Sequence, residues 1–112
     1  MALQTMANKL LPISTALVSI SGLSVGHYFN TLKTGDYCVW AEDTEGSSLH
    51  DDNIKDVQTV QGTIDFFTKT ENNTLVDSIQ NALNTAGIYF YLNSVQYEDE
   101  TEYIHYEWVF EV

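Results

Sequence analysis

The sequence predicts an α+β fold in which two helices pack on a single, mainly antiparallel β-sheet. Two segments carry apolar residues at helical spacing, whereas the other predicted elements are rich in β-branched and aromatic residues or alternate apolar with polar positions. The resulting order, α-β-β-β-α-β-β, is typical of helices packed on one antiparallel sheet. A chain of 112 residues, of which 44% are hydrophobic, has room for one domain, residues 1–112, around one core.

The first helix is predicted over residues 10–21. Its apolar face consists of residues three or four positions apart, namely Leu10, Ile13, Leu17 and Ile20. Asn8 is a suitable N-cap, and Gly22 is a natural stop. We expect residues 1–9 to form a flexible arm or to extend the helix, with a kink near Pro12 in the second case.

Two strands follow, at residues 23–30 and 37–43, and a short polar segment separates them. We therefore predict that they form a β-hairpin. Residues 44–56 combine acidic residues with serine, glycine and asparagine and predict a long acidic loop. Loops of this length in a compact domain are usually functional or mobile, so this loop is a candidate for an interaction.

A third strand is predicted over residues 57–68, where Gly62 indicates a bulge or the close approach of another backbone. The second helix is predicted over residues 73–86, capped by Asn72 or Asn73 and closed by the glycine that follows it. Its buried stripe is expected to contain Leu75, Ile79, Ala82, Leu83 and Ala86.

The C-terminal hairpin is the clearest local prediction, with strands at residues 88–97 and 103–112 joined by the acidic turn 98–102. Core-facing positions of the last strand are expected at Ile104, Tyr106, Trp108, Phe110 and Val112. These positions alternate with His105, Glu107 and Glu111, which are expected to face water. The preceding strand is predicted to place three tyrosines opposite its apolar face, Tyr89, Tyr91 and Tyr97. A tyrosine-rich sheet face commonly binds protein.

Charge excludes several classes of function. The chain has 16 acidic residues, four basic residues that are all lysine, and a net charge of −12. Nucleic-acid binders neutralise phosphates with clustered lysine and arginine, so direct binding of nucleic acid or of an anionic membrane surface is not expected. Cys38 is the single cysteine and predicts neither an intrachain disulfide nor a zinc site built on paired cysteines.

The sequence contains only weak indications of a metal-binding or catalytic site. Asp43, Glu45, Asp51, Asp52 and Asn53 offer oxygen ligands for Ca²⁺, but their spacing does not match a helix-flanked calcium loop, and a solvated acidic loop explains them equally well. The three histidines, His27, His50 and His105, are dispersed. No serine lies in a nucleophile elbow. We therefore predict no catalytic residue, metal site or cofactor.

An interface with other protein chains is the predicted functional site. It is expected to combine residues of the second strand, the acidic loop and the tyrosine-rich strand: Trp40, Glu42, Asp43, Glu45, His50, Asp51, Asp52, Tyr89, Tyr91 and Tyr97.

Several strings of residues resemble a known family. They are Asp-Tyr-Cys-Val-Trp-Ala-Glu-Asp at 36–43, Ser-Leu-His-Asp-Asp-Asn at 48–53, Val-Gln-Gly-Thr-Ile-Asp-Phe-Phe-Thr-Lys at 60–69 and Ile-His-Tyr-Glu-Trp-Val-Phe-Glu-Val at 104–112. With the element order, they resemble the small tail-completion or tail-terminator proteins of siphovirus-type bacteriophages and prophages of Gram-positive bacteria. The likeness covers about residues 10–112. Head-tail joining proteins are similar in size and layout.

The resemblance implies a structural role in the virion. Proteins of this kind form a ring, usually a hexamer, that caps the head-proximal end of the tail tube and offers the surface to which the filled head attaches. The implied partners are further copies of the chain, the tail tube protein and a head-completion or connector protein. The implied location is the virion tail and, during assembly, the cytoplasm of the host bacterium.

Two other classes of function stay open. An acidic inhibitor that mimics DNA would also have a large negative charge, but here the acids fall mostly in the segments 42–56 and 98–102 rather than along one helix or strand edge. A small-ligand or enzyme domain is the third possibility, and the absence of a recognisable site motif disfavours it.

Overall fold

The described residues fold into two helices and one sheet in the predicted order. The computed structural model describes residues 5–46 and 58–112. The elements are α1 Met6–Val18, β1 Ser24–His27, β2 Tyr37–Glu45, β3 Val60–Thr68, α2 Thr74–Thr85, β4 Tyr89–Glu98 and β5 Tyr103–Glu111. The strands form one five-stranded sheet in the spatial order β1-β2-β3-β5-β4. The predicted α+β fold is thus confirmed.

Both helices pack on the same face of the sheet and share its core. Ile13 and Leu17 of α1 and Ile79 and Leu83 of α2 are completely buried there. They meet large sheet residues, namely Trp40, Ile64, Phe66, Trp108 and Phe110. Each such apolar side chain contributes about 1.5–3 kcal/mol when it is removed from water. The helix-facing side of the sheet is therefore the hydrophobic core.

Helix α1 begins earlier than the sequence predicts. Thr5, not Asn8, is its N-cap, and the Thr5 hydroxyl oxygen accepts a hydrogen bond from the Asn8 backbone N–H at 3.2 Å. Residues 6–9 therefore extend the helix, and Pro12 lies inside it. Within the described residues, no helix is long and apolar enough to cross a membrane.

Helix α2 has nearly the predicted bounds. The Asn73 side chain caps it by accepting a hydrogen bond from the Leu75 backbone N–H at 2.8 Å. Gly87, with a φ of 72°, follows its last turn and supplies the left-handed conformation that commonly ends a helix. The predicted stripe is wrong at one position, because Ala86 is exposed.

The predicted hairpin of the first two strands is wrong, because β1 and β2 run parallel, with Ser24 opposite Tyr37. After β1 the chain reverses at Tyr28, whose φ is 71°, and folds back over β1. A Cβ added to Gly26 would stand 2.0 Å from the Phe29 carbonyl oxygen, so only glycine allows this return. Alternating apolar residues predict a strand but not the direction of its neighbour.

The buried side chain of Asn30 fastens the returning segment. Its amide nitrogen donates to the Cys38 carbonyl at 3.2 Å, and its Oδ1 accepts from the Leu32 backbone N–H at 2.8 Å. These bonds satisfy polar groups that the fold-back would otherwise bury without partners. We call residues 28–34 the fold-back loop.

The close approach predicted at Gly62 is confirmed, and the bulge lies in the neighbouring strand. A Cβ at Gly62 would stand 2.1 Å from the Ala41 carbonyl oxygen. Opposite it, the register of β2 shifts between Glu42 and Thr44. Here β2 contains one residue more than its partner strand, as in a β-bulge.

A second bulge changes the predicted tyrosine face. The hairpin of β4 and β5 forms as predicted, but its register shifts between Leu92 and Ser94. One extra residue moves every later side chain of β4 to the other face. Tyr89 and Tyr91 therefore lie on the face opposite the helices, which we call the open face, whereas Tyr97 pairs with Ile104 on the helix side. The prediction of one face with three tyrosines is wrong.

Candidate functional site

Strand β4 forms one edge of the sheet and exposes its apolar side chains. Within the described residues, its outer side has no neighbouring strand. Five of its large hydrophobic residues are between 46% and 63% exposed: Tyr89, Tyr91, Leu92, Val95 and Tyr97. Because β4 contributes them to both faces, the strand presents an apolar rim rather than one apolar side. We call residues 89–97 the β4 edge.

The β4 edge carries no charge. Its sequence, Tyr-Phe-Tyr-Leu-Asn-Ser-Val-Gln-Tyr, contains neither an acidic nor a basic residue, although the whole chain has a net charge of −12. Natural edge strands usually carry lysine, proline or inward-pointing charges that prevent pairing with other chains. An uncharged, apolar edge of this length is typical of a surface that another protein covers.

The bulge gives the two ends of the β4 edge different characters. On the open face, Tyr89 and Tyr91 lie edge to face, with ring centroids 6.4 Å apart. On the helix side, Leu92, Val95 and Tyr97 remain exposed. Of these residues, the tyrosines are of the type enriched among the side chains that contribute most binding energy at protein interfaces.

Four of the other predicted interface residues can be located, and they lie apart from the β4 edge. Trp40 is 4% exposed and stacks on His27 with ring centroids 3.9 Å apart, so it is a core residue. Asp43 and Glu45 are exposed on β2, which β3 and β5 separate from β4 by about 14 Å. The remaining three, His50, Asp51 and Asp52, lie outside the described residues, as does Asn53 of the candidate calcium loop.

Glu42 has a structural role next to β1. Its carboxylate accepts hydrogen bonds from the Tyr28 hydroxyl and from His27 Nε2, the latter at 2.7 Å. Burial would raise the pKa of the Glu42 carboxyl, but the bonds from Tyr28 and His27 outweigh this effect and lower the pKa. Glu42 therefore ties β2 to the end of β1.

An aromatic column on the open face could not be recognised in the sequence. The rings of Tyr37 and Phe67 stack at 4.7 Å, and those of Phe67 and His105 stack at 4.3 Å, across three adjacent strands. The Tyr103 hydroxyl donates to the Lys33 carbonyl of the fold-back loop at 3.3 Å. Between this loop and the column lies a cavity of about 340 Å³.

His105 lies among carboxylates at the end of the column. Its Nε2 is 2.7 Å from Asp65 Oδ1, and its Nδ1 is 3.4 Å from Glu98 Oε2. The hydrogen bond with Asp65 raises the pKa of His105 against the opposing effect of burial, and the charges of Asp65, Glu98 and Glu107 act in the same direction. The sequence predicts His105 on a water-facing strand surface, whereas in the structure it is half-buried among acidic residues.

The groove between the helices and the Cys38 thiol do not have the features of a reactive site. A groove of about 630 Å³ between α1 and α2 is lined by small, apolar and neutral polar residues, among them Leu11, Pro12, Ala16 and Ala82. The Cys38 thiol is completely buried, and burial raises its pKa to about 12. A thiol in this state is a poor nucleophile, because the reactive form is the thiolate.

Comparisons with known proteins do not assign a family. No family model matches the chain, and no curated protein matches it. They therefore give no positive indication of an enzyme.

Proposed function

We propose that this protein is a structural virion subunit that caps the phage tail tube as a ring and provides the surface for joining the head. The observation that carries the proposal is the β4 edge, an uncharged apolar rim on a strongly acidic chain. The role itself is the one implied by the resemblance of residues 36–43 and 104–112 to tail-completion proteins. On this proposal the protein acts by assembly and is not an enzyme.

The β4 edge suits assembly in two ways. The outer backbone N–H and C=O groups of β4, which face no strand of the described residues, can pair with a strand or loop of another chain, and its tyrosines and aliphatic residues can be buried alongside. Its lack of charge lets two acidic subunits approach here with less repulsion than at other surfaces. A closed ring requires that one patch meets a different patch on the next subunit. We assign β4 as one of the two patches.

The charge also fits a ring through which DNA passes. Binding to the DNA backbone depends on lysine and arginine that neutralise phosphates. A chain with net charge −12 and no arginine would repel DNA and allow it to slide.

The arrangement of the carboxylates disfavours a DNA mimic. A mimic needs free carboxylates at phosphate-like spacing, whereas several here are engaged inside the fold. Asp36 accepts from Thr68 at 2.6 Å and from Asn73 at 3.0 Å. Glu42 and Asp65 likewise contact histidines. The tail-completion role is therefore the better proposal.

The test is genetic. Deleting the gene from the phage or prophage that carries it should give DNA-filled heads and separate tails of irregular, excessive length under the electron microscope. Tails of normal length that remain attached to heads would contradict the proposal. Tails of normal length that are left unattached would contradict the capping role and favour a joining protein on the head side.

A further inference from the structure

Three potential metal ligands converge on the open face, outside the proposed interface. One ligand atom each from Asp65, His105 and Glu107 lies within 4.8 Å of the other two. Asp65 of β3 is directly opposite Glu107 of β5, and His105 precedes Glu107 by two residues on the same face. All three are half-buried on paired inner strands of the sheet. Ligands on paired strands are held more precisely than ligands on loops.

A neighbouring side chain orients each of the three ligands. Glu98 Oε2 lies 3.4 Å from His105 Nδ1, Asn93 Nδ2 donates to Glu107 Oε1 at 2.7 Å, and Thr63 Oγ1 donates to Asp65 Oδ2 at 3.3 Å. Histidines that bind metal usually donate their second ring nitrogen to a carboxylate or carbonyl, and ligating carboxylates are themselves hydrogen-bonded. The bulge at residues 92–94 brings Asn93 to Glu107.

We propose that Asp65, His105 and Glu107 bind a zinc ion. One imidazole nitrogen and two carboxylate oxygens are ligands that Zn²⁺ accepts at about 2.0–2.2 Å, which corresponds to about 3.4 Å between ligands in a tetrahedron. His105 Nε2 and Asp65 Oδ1, now 2.7 Å apart, need to separate by less than 1 Å. Zinc binds an unprotonated Nε2, so any proton on this nitrogen passes to solvent as the metal binds, and the hydrogen bond with Asp65 is lost. The fourth position is left for water or for a side chain of a partner.

The ligand set favours this ion over magnesium or calcium, and the surrounding charge favours a divalent cation in general. Those ions require six or more oxygen ligands, whereas this site offers two carboxylates and an imidazole. Glu98 adds a further negative charge next to His105. The proposal differs from the sequence prediction of no metal site, and it does not involve the acidic loop 44–56 considered there.

Calorimetric titration of the metal-free protein with zinc chloride tests the proposal. The wild-type chain should bind one ion, and zinc should raise its melting temperature, because a ligand of the native state stabilises it. His105→Gln should weaken binding by more than about tenfold, since one of three ligands is lost. Glu98→Gln should weaken it by about tenfold through the orientation of His105.

His27→Gln is the matched control, because His27 also lies 2.7 Å from a carboxylate but outside the triad. It should bind zinc as the wild type does. If His105→Gln does not fold, Glu107→Gln replaces it as the ligand variant. Binding that is absent from the wild type, unchanged in the ligand variants or equally reduced by His27→Gln would overturn the proposal. Magnesium chloride should produce no comparable stabilisation.

Discussion

The two edges of the sheet are built in opposite ways. The β1 edge is four residues long, and the fold-back loop returns over it. Tyr28 extends its pairing with β2 by donating its backbone N–H to the Trp40 carbonyl at 2.8 Å. The β4 edge is part of a ten-residue strand that is exposed on both faces and uncharged from residue 89 to 97. The fold thus makes the β1 edge short and, within the described residues, leaves the long β4 edge without a neighbouring strand.

On the proposed function, this difference would give assembly a defined orientation. A protein with two long edges could polymerise through either of them, whereas a short edge strand favours pairing at the longer one. Experiments that change the β4 edge, the β1 edge and the hydrogen bonds of Glu42 beside β1 test this comparison.

The largest expected effect is on association through β4. Val95→Lys introduces the charge that natural edges use against pairing, and we expect it to abolish self-association measured by light scattering at high protein concentration. Val18→Lys is the matched control, because Val18 is 65% exposed at the end of α1 and Val95 is 48% exposed. The control should associate as the wild type does. If Val95→Lys associates as strongly as the wild type, β4 is not part of the self-association interface.

The next effect is on stability at the β1 edge. Gly26→Ala places a carbon where the Phe29 carbonyl oxygen lies, so the fold-back loop must move. We expect the free energy of unfolding in urea to fall by about 1–3 kcal/mol. Gln96→Ala, at an exposed position of β4, should change it by no more than about 0.5 kcal/mol. Equal losses in the two variants would show that the edges do not differ as described.

The smallest effect concerns Glu42, whose lowered pKa links stability to pH. A carboxyl with a lowered folded-state pKa stabilises the protein above its unfolded pKa, and this contribution disappears as the pH falls through the folded-state value. Glu42→Gln should therefore cost no more than about 0.5 kcal/mol at neutral pH and nothing in acid. Urea unfolding at several pH values measures the difference, and a loss that persists in acid would contradict this account.

A second variant tests whether Tyr28 acts through Glu42. Tyr28→Phe removes the hydroxyl that donates to the Glu42 carboxylate. It should destabilise the wild type slightly and the Glu42→Gln variant less, because the charged acceptor has gone. Equal effects in both backgrounds would indicate that the Tyr28 ring, not its hydrogen bond, matters.

Local patterns predicted most of the elements but not how they meet. The spacing of apolar residues gave both helices, and alternation gave the strand containing Ile64 and Phe66. The direction of β1 depended on a reversal at Tyr28, a residue that seldom adopts positive φ. No proline or glycine next to Asn93 indicates the bulge in β4. The prediction from strict alternation therefore assigned Tyr97 to the wrong face of the sheet.

The proximity of Asp65, His105 and Glu107 could not be predicted from the sequence for a different reason. Asp65 and His105 are 40 residues apart, and only the register between β3 and β5 brings them together. A shift of one residue would send either side chain to the opposite face. The exposed tyrosines of β4, in contrast, belong to one strand. Local sequence therefore sufficed to predict a tyrosine-rich strand, although not which strands lie beside it.

The placement of the aromatic residues separates two optical signals. Trp40 and Trp108 are both in the core, and the indole N–H of Trp108 donates to Gln80 at 3.0 Å. Tryptophan emission therefore reports on whether the chain is folded and is little affected by events at the rim. Tyr89, Tyr91 and Tyr97 are exposed there, so nitration by tetranitromethane, mapped at these three positions, would distinguish a free β4 from a covered one, with Tyr28, 59% exposed outside β4, as the internal reference. The protein thus carries separate native labels for folding and for contact, and neither requires an added dye.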